Sequence, residues 1–164
     1  MKKSVLSIIL SLFAIVSFGQ QNANEITIIP EPVSIVRGNG AFVLPEAITV
    51  STPKVDGMAF INNLLENKLS VASGRVVSLQ HNSKNSNIVL TLNKSNDKTL
   101  GEEGYKLTVT ERQIQLNANR PAGLLYGVQT LFQLFPPQIE SKTLVKGVEW
   151  TVPAVEIVDY PRMG

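Results

Sequence analysis

The chain has 164 residues, with 15 Lys and Arg against 13 Asp and Glu, one His and no Cys. This length allows one domain with or without an appendage, but it is too short for a complete (β/α)₈ barrel, which needs about 250 residues. The absence of cysteine excludes a disulfide scaffold, a thiol nucleophile and a Cys-ligated metal.

Residues 1–19 have the features of a secretory signal peptide. A basic start precedes an apolar run from Val5 to Phe18, and Ser17 and Gly19 place small residues three and one positions before Gln20. The run is shorter than the about 20 residues that a membrane-spanning helix needs. We therefore expect the leader to be removed and the product to be exported, to the periplasm or the medium, without stable membrane insertion.

Removal of the leader would equalise the basic and acidic residues, because the leader carries Lys2 and Lys3 and no acid. No basic stripe then remains, so the sequence gives no electrostatic basis for binding nucleic acid.

The first part of the mature chain predicts three strands. Val33–Val36 and Ala41–Leu44 would form a hairpin, since Gly38-Asn39-Gly40 between them is a strong turn signal. Ala47–Thr52 predicts the third strand, which Pro53 ends.

A helix is predicted over Gly57–Ala72, with Asp56 as its N-cap. The apolar residues at helical spacing, widened by Phe60 and Leu64, would form its buried face: Met58, Ile61, Leu65, Leu69 and Ala72.

Four more strands follow. Arg75–Leu79 and Ile88–Leu92 flank a polar loop. Tyr105–Val109 and Ile114–Ala118 alternate apolar and polar residues around the short turn Thr110–Arg112, which predicts an antiparallel hairpin with one wet face.

A second helix is predicted to start at Asn119-Arg120-Pro121, with Pro at a tolerated first-turn position, and to be stopped by Pro136-Pro137. Gly123 and Gly127 are costly in a helix, so we expect them to allow close approach to the sheet. Ala154–Val158 predicts the last strand.

This order, in which hairpins dominate and two helices interrupt, predicts an α+β fold. We expect a mixed or mostly antiparallel sheet with the two helices packed on one face.

Side chains that are candidates for catalysis or ligand binding are few in this sequence. His81 lies in a polar loop with no acid nearby, and the Glu102–Glu103 pair fits a solvated turn better than a glycosidase acid pair. Arg120 and Tyr126 could face a ligand, or belong to the helix cap and the helix–sheet contact; Trp150 could stack on a sugar, although packing is the simpler interpretation. The sequence predicts no catalytic, cofactor-binding or metal-ligating residue.

Four segments carry a resemblance to a known family. Ile29–Pro32 is similar to the "I-P-x-P" opening of exported glycoside hydrolase family 20 enzymes, the β-N-acetylhexosaminidases, and Glu103–Val109 to their "E-G-Y-x-L-x-V" strand. Ala122–Leu134 resembles their "G-x-x-Y-G-x-Q-T-L-x-Q-L" helix, and Ile157–Arg162 their "I-x-D-x-P-R" segment.

The resemblance implies a non-catalytic N-terminal domain over residues 20–158 and the start of a linker over 159–164, which leads into a (β/α)₈ catalytic barrel. In the family an Asp and a Glu of the barrel carry a substrate-assisted reaction, so the catalytic residues are expected beyond Gly164. The implied partners are this barrel and the glycan substrate. Asp159 and Arg162 are expected to brace the turn between the domains, and the chain is expected to be a fragment or a truncated gene model.

Two alternatives stay open. A related hexosaminidase family of the O-GlcNAcase type shares a similar leading domain, although the "P-R" after Asp159 favours family 20. A stand-alone exported carbohydrate-binding or scaffold module would also suit a chain without visible catalytic groups.

Overall fold

The computed structural model describes residues 26–162, so the predicted leader lies outside the described residues. Within this range seven strands form one sheet, with two α-helices and a short 3₁₀ helix. The elements in chain order are β1 (Ser34–Val43), β2 (Ala47–Thr52), α1 (Met58–Val71), β3 (Val76–His81), β4 (Ile88–Leu92), β5 (Tyr105–Val109), β6 (Ile114–Ala118), α2 (Pro121–Leu134), the 3₁₀ helix (Pro137–Glu140) and β7 (Thr151–Asp159).

The sheet is mixed, with strand order β1-β7-β5-β6-β4-β2-β3. The pairs β1/β7, β7/β5 and β5/β6 are antiparallel, and the pairs β6/β4, β4/β2 and β2/β3 are parallel. The short turn after β5 produces an antiparallel pair, whereas the crossover through α1 makes β2 and β3 parallel. The predictions of an α+β fold and of the β5–β6 hairpin are confirmed.

One face of the sheet is apolar and carries both helices. Leu107 and Leu116 lie side by side on this face and are fully buried. The opposite face is polar, and Lys106 and Glu156 form an ion pair of 3.0 Å there. The alternation of the strands therefore separates a helix-covered face from a wet one.

The predicted hairpin at residues 33–44 is wrong, because the segment forms the single strand β1. Both of its halves pair with β7, which is longer than predicted, and the register shifts between Arg37 opposite Val155 and Ala41 opposite Pro153. Gly40 has φ +82°. The glycines thus form a β-bulge at the edge of the sheet instead of a hairpin turn.

Helix α1 differs from the prediction at two positions. Gly57, with φ 85°, precedes the helix and no side chain caps it, so Asp56 is not the N-cap. Phe60 is 64% exposed, because it lies roughly 140° around the helix from the centre of the buried face. The apolar residues predicted at helical spacing are buried: Met58, Ile61, Leu65, Leu69 and Ala72.

Helix α2 spans Pro121–Leu134, between the predicted start and stop signals, and its glycines touch the sheet. A Cβ atom at Gly127 would overlap Cδ1 of the fully buried Leu116. A Cβ atom at Gly123 would overlap the carbonyl oxygen of Gly104. The predicted close approach is confirmed at both glycines, and at Gly123 the neighbour is backbone rather than a side chain.

A buried hydrogen bond joins α2 to β5. The hydroxyl oxygens of Tyr105 and Thr130 lie 2.5 Å apart, and Tyr105 is only 2% exposed. Burial raises the pKa of Tyr105 to about 12; the bond to Thr130 lowers this pKa, and the charge of Asp159 raises it. The phenol is therefore protonated at neutral pH, as a structural group of the core.

We predict that Gly123→Ala and Gly127→Ala destabilise the chain, although each gains about 1 kcal/mol of helix propensity. Gly123→Ala should cost more, about 2 kcal/mol or above, because a backbone carbonyl cannot rotate away as a leucine methyl group can. Urea unfolding measures both, with Ala122→Gly on the exposed side of the same turn as the control for propensity. Stabilisation by Gly123→Ala would contradict the close approach.

Tyr105→Phe tests the buried phenol. At pH 7 the loss of its bond to Thr130 should lower the free energy of unfolding by about 1 kcal/mol. Because the folded pKa lies above the unfolded value of 10.0, the wild type has the full stability from this group below pH 10 and loses it as the pH rises through about 12. The loss amounts to about 2–3 kcal/mol, and Tyr105→Phe does not undergo it.

The difference in the free energy of unfolding between the wild type and Tyr105→Phe should therefore shrink above pH 10 and reverse sign near pH 11–12. Urea unfolding of both proteins between pH 7 and pH 12 measures it, and the other tyrosines cancel in the comparison. A difference that stays constant with pH would contradict the assignment.

Candidate functional site

Four segments that are distant in the sequence meet in one concavity of about 450 Å³. They are the segment before β1, the start of β5, the outer side of α2 and the end of β7. The lining residues are Pro30, Glu31, Glu103, Tyr105, Tyr126, Asp159, Tyr160, Pro161 and Arg162. The concavity thus lies where the chain leaves the sheet.

Gln133 of α2 fixes the segment before β1. Its side-chain Nε2 donates to the carbonyl oxygen of Ile29 (3.1 Å), and the backbone N–H of Ile29 donates to its Oε1 (2.9 Å). One side-chain amide therefore satisfies both backbone groups of Ile29 and places Pro30 and Glu31 at the rim.

The segment after β7 is tied to the same strand entry. The backbone N–H of Val33 donates to Oδ1 of Asp159 (3.2 Å), and Nη2 of Arg162 donates to the carbonyl oxygen of Glu31 (2.8 Å). Asp159 and Arg162 brace this corner, as predicted; that the corner lies between two domains stays a prediction.

Tyrosines form the floor and one wall of the concavity. Tyr105 is buried, and its hydroxyl is occupied by Thr130. Tyr126 is 43% exposed, so it is not a buried helix–sheet contact. Its ring presents apolar surface to the concavity, and among residues 26–162 no group hydrogen-bonds its hydroxyl.

Asn119 holds the loop that carries Glu103. Its Nδ2 donates to the carbonyl oxygens of Asp97 (2.7 Å) and Gly101 (2.6 Å), and its Oδ1 accepts from Asn93 Nδ2 and from the N–H of Asp97 (both 2.9 Å). Asn119 is buried with all these bonds formed. The sequence around Asn119 indicates only the start of a helix, because these contacts are not local in the chain.

The rim is acidic. Glu31 and Glu103 are exposed, and Asp159 is half-buried. Within the described range, Arg162 is the one basic residue that lines the concavity beside these three acids. Among residues 26–162, no three His, Asp or Glu side chains are placed to hold a metal ion. The phenol of Tyr105 is protonated at neutral pH and bonded to Thr130, so it is not available as a nucleophile.

The other candidates from the sequence lie elsewhere. His81 is at the end of β3 rather than in a loop, exposed, with Nδ1 3.3 Å from the carbonyl oxygen of Thr52. Trp150 is buried, which confirms the packing interpretation. Arg120 is exposed at the N-cap position of α2, where its side chain makes no capping bond.

Within residues 26–162, no helix combines the length and the apolar character that crossing a bilayer requires.

Curated relatives match most of this chain. A "Beta-hexosaminidase" of Porphyromonas gingivalis and a "Beta-N-acetylhexosaminidase" of Cellulomonas fimi are each 30% identical to it over 139 residues, which cover 85% and 84% of the chain. The chain spans only 18% and 27% of the length of these two relatives.

Solved structures share the fold. The N-acetyl-beta-hexosaminidase of Streptomyces plicatus superposes with a TM-score of 0.74 at 28% identity, covering 82% of this chain and 26% of that chain. The beta-N-acetylhexosaminidase of Bacteroides fragilis gives a TM-score of 0.61 at 28% identity, covering 84% of this chain and 25% of that chain.

The family model described as "Glycosyl hydrolase family 20, domain 2" matches residues 25–160. This range contains every strand and helix of the fold and all but two of the residues that line the concavity. The chain therefore belongs to glycosyl hydrolase family 20, as domain 2 of that family.

Proposed function

We propose that this chain is the N-terminal accessory domain of an exported β-N-acetylhexosaminidase. The names of the two curated relatives support the activity, and the small share of their length that the chain spans supports a larger enzyme. The larger enzyme would release terminal β-linked GlcNAc or GalNAc from the non-reducing ends of glycans. Its substrate-assisted chemistry would use an Asp and a Glu of a catalytic barrel that follows this domain.

In this proposal the accessory domain packs against the catalytic barrel and fixes its position. The observation that carries it is the concavity itself, because the segments that resemble the family converge there, at the point where β7 ends. The chain would pass directly from Asp159–Arg162 into the barrel. The bonds of Asp159 and Arg162 to the segment before β1 would then fix the direction in which the chain leaves.

The exposed ring of Tyr126 supports the same surface. Tyr126 is 43% exposed and lies in the concavity, beside the apolar Pro30 and Pro161. It projects from the helix layer, whereas the other face of the sheet is polar. An apolar surface with a polar rim is typical of a site that a partner covers. The acidic rim of Glu31 and Glu103 would favour basic or hydrogen-bond-donating groups on the barrel.

Export would follow from the leader. Cleavage after Gly19 would release a chain that starts at Gln20, in the periplasm or the medium.

Tyr126→Ser tests whether this surface is covered by the rest of the enzyme. In the isolated chain Tyr126 is partly exposed, so the substitution should change the free energy of unfolding by only about 0.5 kcal/mol. In the complete enzyme the same substitution should cost about 3 kcal/mol, because it removes a buried aromatic contact. Urea or thermal unfolding of both forms measures the difference.

Val36→Ser is the matched control, since Val36 is an exposed apolar residue on edge strand β1, opposite the exposed Glu156. It should have the same small effect in both forms. Equal effects of Tyr126→Ser in the isolated chain and in the complete enzyme would contradict the proposed docking surface.

A further inference from the structure

The two edges of the sheet differ in how they are protected. The β1 edge is broken by the bulge at Gly38–Gly40 and carries Arg37. The β3 edge runs without a register shift from Val76 to His81 and contains no proline, lysine or acidic residue. Bulges and charges are the usual devices that prevent a sheet edge from pairing with another chain, and β3 lacks them.

We propose that β3 pairs with β3 of a second copy of this chain, in antiparallel orientation about a two-fold axis. Among residues 26–162, β3 pairs with β2 alone, so its other side is open. This inference is independent of the proposed function, because it concerns the edge of the sheet and not the helix layer.

The backbone pattern identifies which groups are free. The N–H of Val76 donates to the carbonyl oxygen of Glu46 (3.1 Å), and the N–H of Asn82 donates to that of Thr52 (3.4 Å). Even-numbered residues of β3 therefore point their backbone groups at β2. Because the direction alternates along a strand, Val77, Leu79 and His81 point theirs outward.

These three residues fit a two-fold arrangement. With the axis at Leu79, the two Leu79 residues form one hydrogen-bonded pair, and Val77 of each copy lies opposite His81 of the other. All three outward N–H groups and all three outward carbonyl groups of each copy then find partners. The pairing register keeps residues of the same face opposite each other, so the helix-covered face continues across the axis.

The position of the β3 edge favours pairing with a second copy over pairing with another segment of the same polypeptide. β7, from which the chain continues, is five strand spacings from β3, or about 24 Å at about 4.8 Å per spacing. The segment before β1 is tied to Asp159, at the end of β7, on that same distant side. Both directions in which the chain extends therefore start far from β3.

The charge pattern also suits two identical edges. β3 contains no Lys, Arg, Asp or Glu, and the neighbouring Arg75 is ion-paired with Glu46. Val76 is 70% exposed.

The area buried between two six-residue strands is small compared with the about 1,600 Å² of a standard interface. The dimer should therefore be weak and concentration-dependent.

Sedimentation velocity of the full chain over a concentration series tests the proposal. The wild type should shift from monomer to dimer as its concentration rises. Ser78→Lys should raise the dissociation constant at least about tenfold, because Ser78 is exposed on β3 and the two lysines would lie about 7–8 Å apart across the axis. Ser34→Lys, an exposed serine on the β1 edge, is the matched control and should leave the constant unchanged.

Hydrogen exchange of the wild type gives a second readout that needs no variant. The amides of Val77, Leu79 and His81 should exchange more slowly at high than at low protein concentration. A monomer at every concentration would overturn the proposal. So would a dimer that Ser78→Lys and Ser34→Lys affect equally, or a dimer without added protection at the three amides.

Discussion

The close contact between α2 and the β5–β6 hairpin is the constraint on which the rest of the fold depends. Two glycines let the helix backbone approach Leu116 and the backbone at Gly104, and the Tyr105–Thr130 hydrogen bond joins the same two elements. Because side chains larger than hydrogen do not fit at either glycine, the helix can occupy only one position on the sheet.

That fixed position of α2 also builds the concavity. Gln133 on the helix secures Ile29, Tyr126 stands beside it as an exposed wall, and Tyr105 beneath it provides the floor. The end of β7 then brings Asp159 against the segment before β1. Packing inside the domain and the surface offered to a partner therefore have the same origin, and the open β3 edge lies on the far side of the sheet.

The sequence predicted the elements whose signals are local. Alternation gave the β5–β6 hairpin, and Pro121 with the two glycines gave α2 and its contact with the sheet. The hairpin expected at Gly38–Gly40 failed because a turn signal does not reveal that β7 is long enough to pair with both flanks. The roles of Asn119 and Gln133 were also missed, since their partners are loop and strand-entry backbone that only the tertiary fold brings near.

We propose that the helix-side concavity contacts a catalytic domain of the same polypeptide. The decisive measurement is the mass of the native polypeptide in its source, detected through a peptide from residues 106–162. We predict a mass several times 17.9 kDa, in a fraction that hydrolyses a chromogenic N-acetylglucosaminide. A native mass at or below 17.9 kDa would contradict it and would favour a stand-alone exported module.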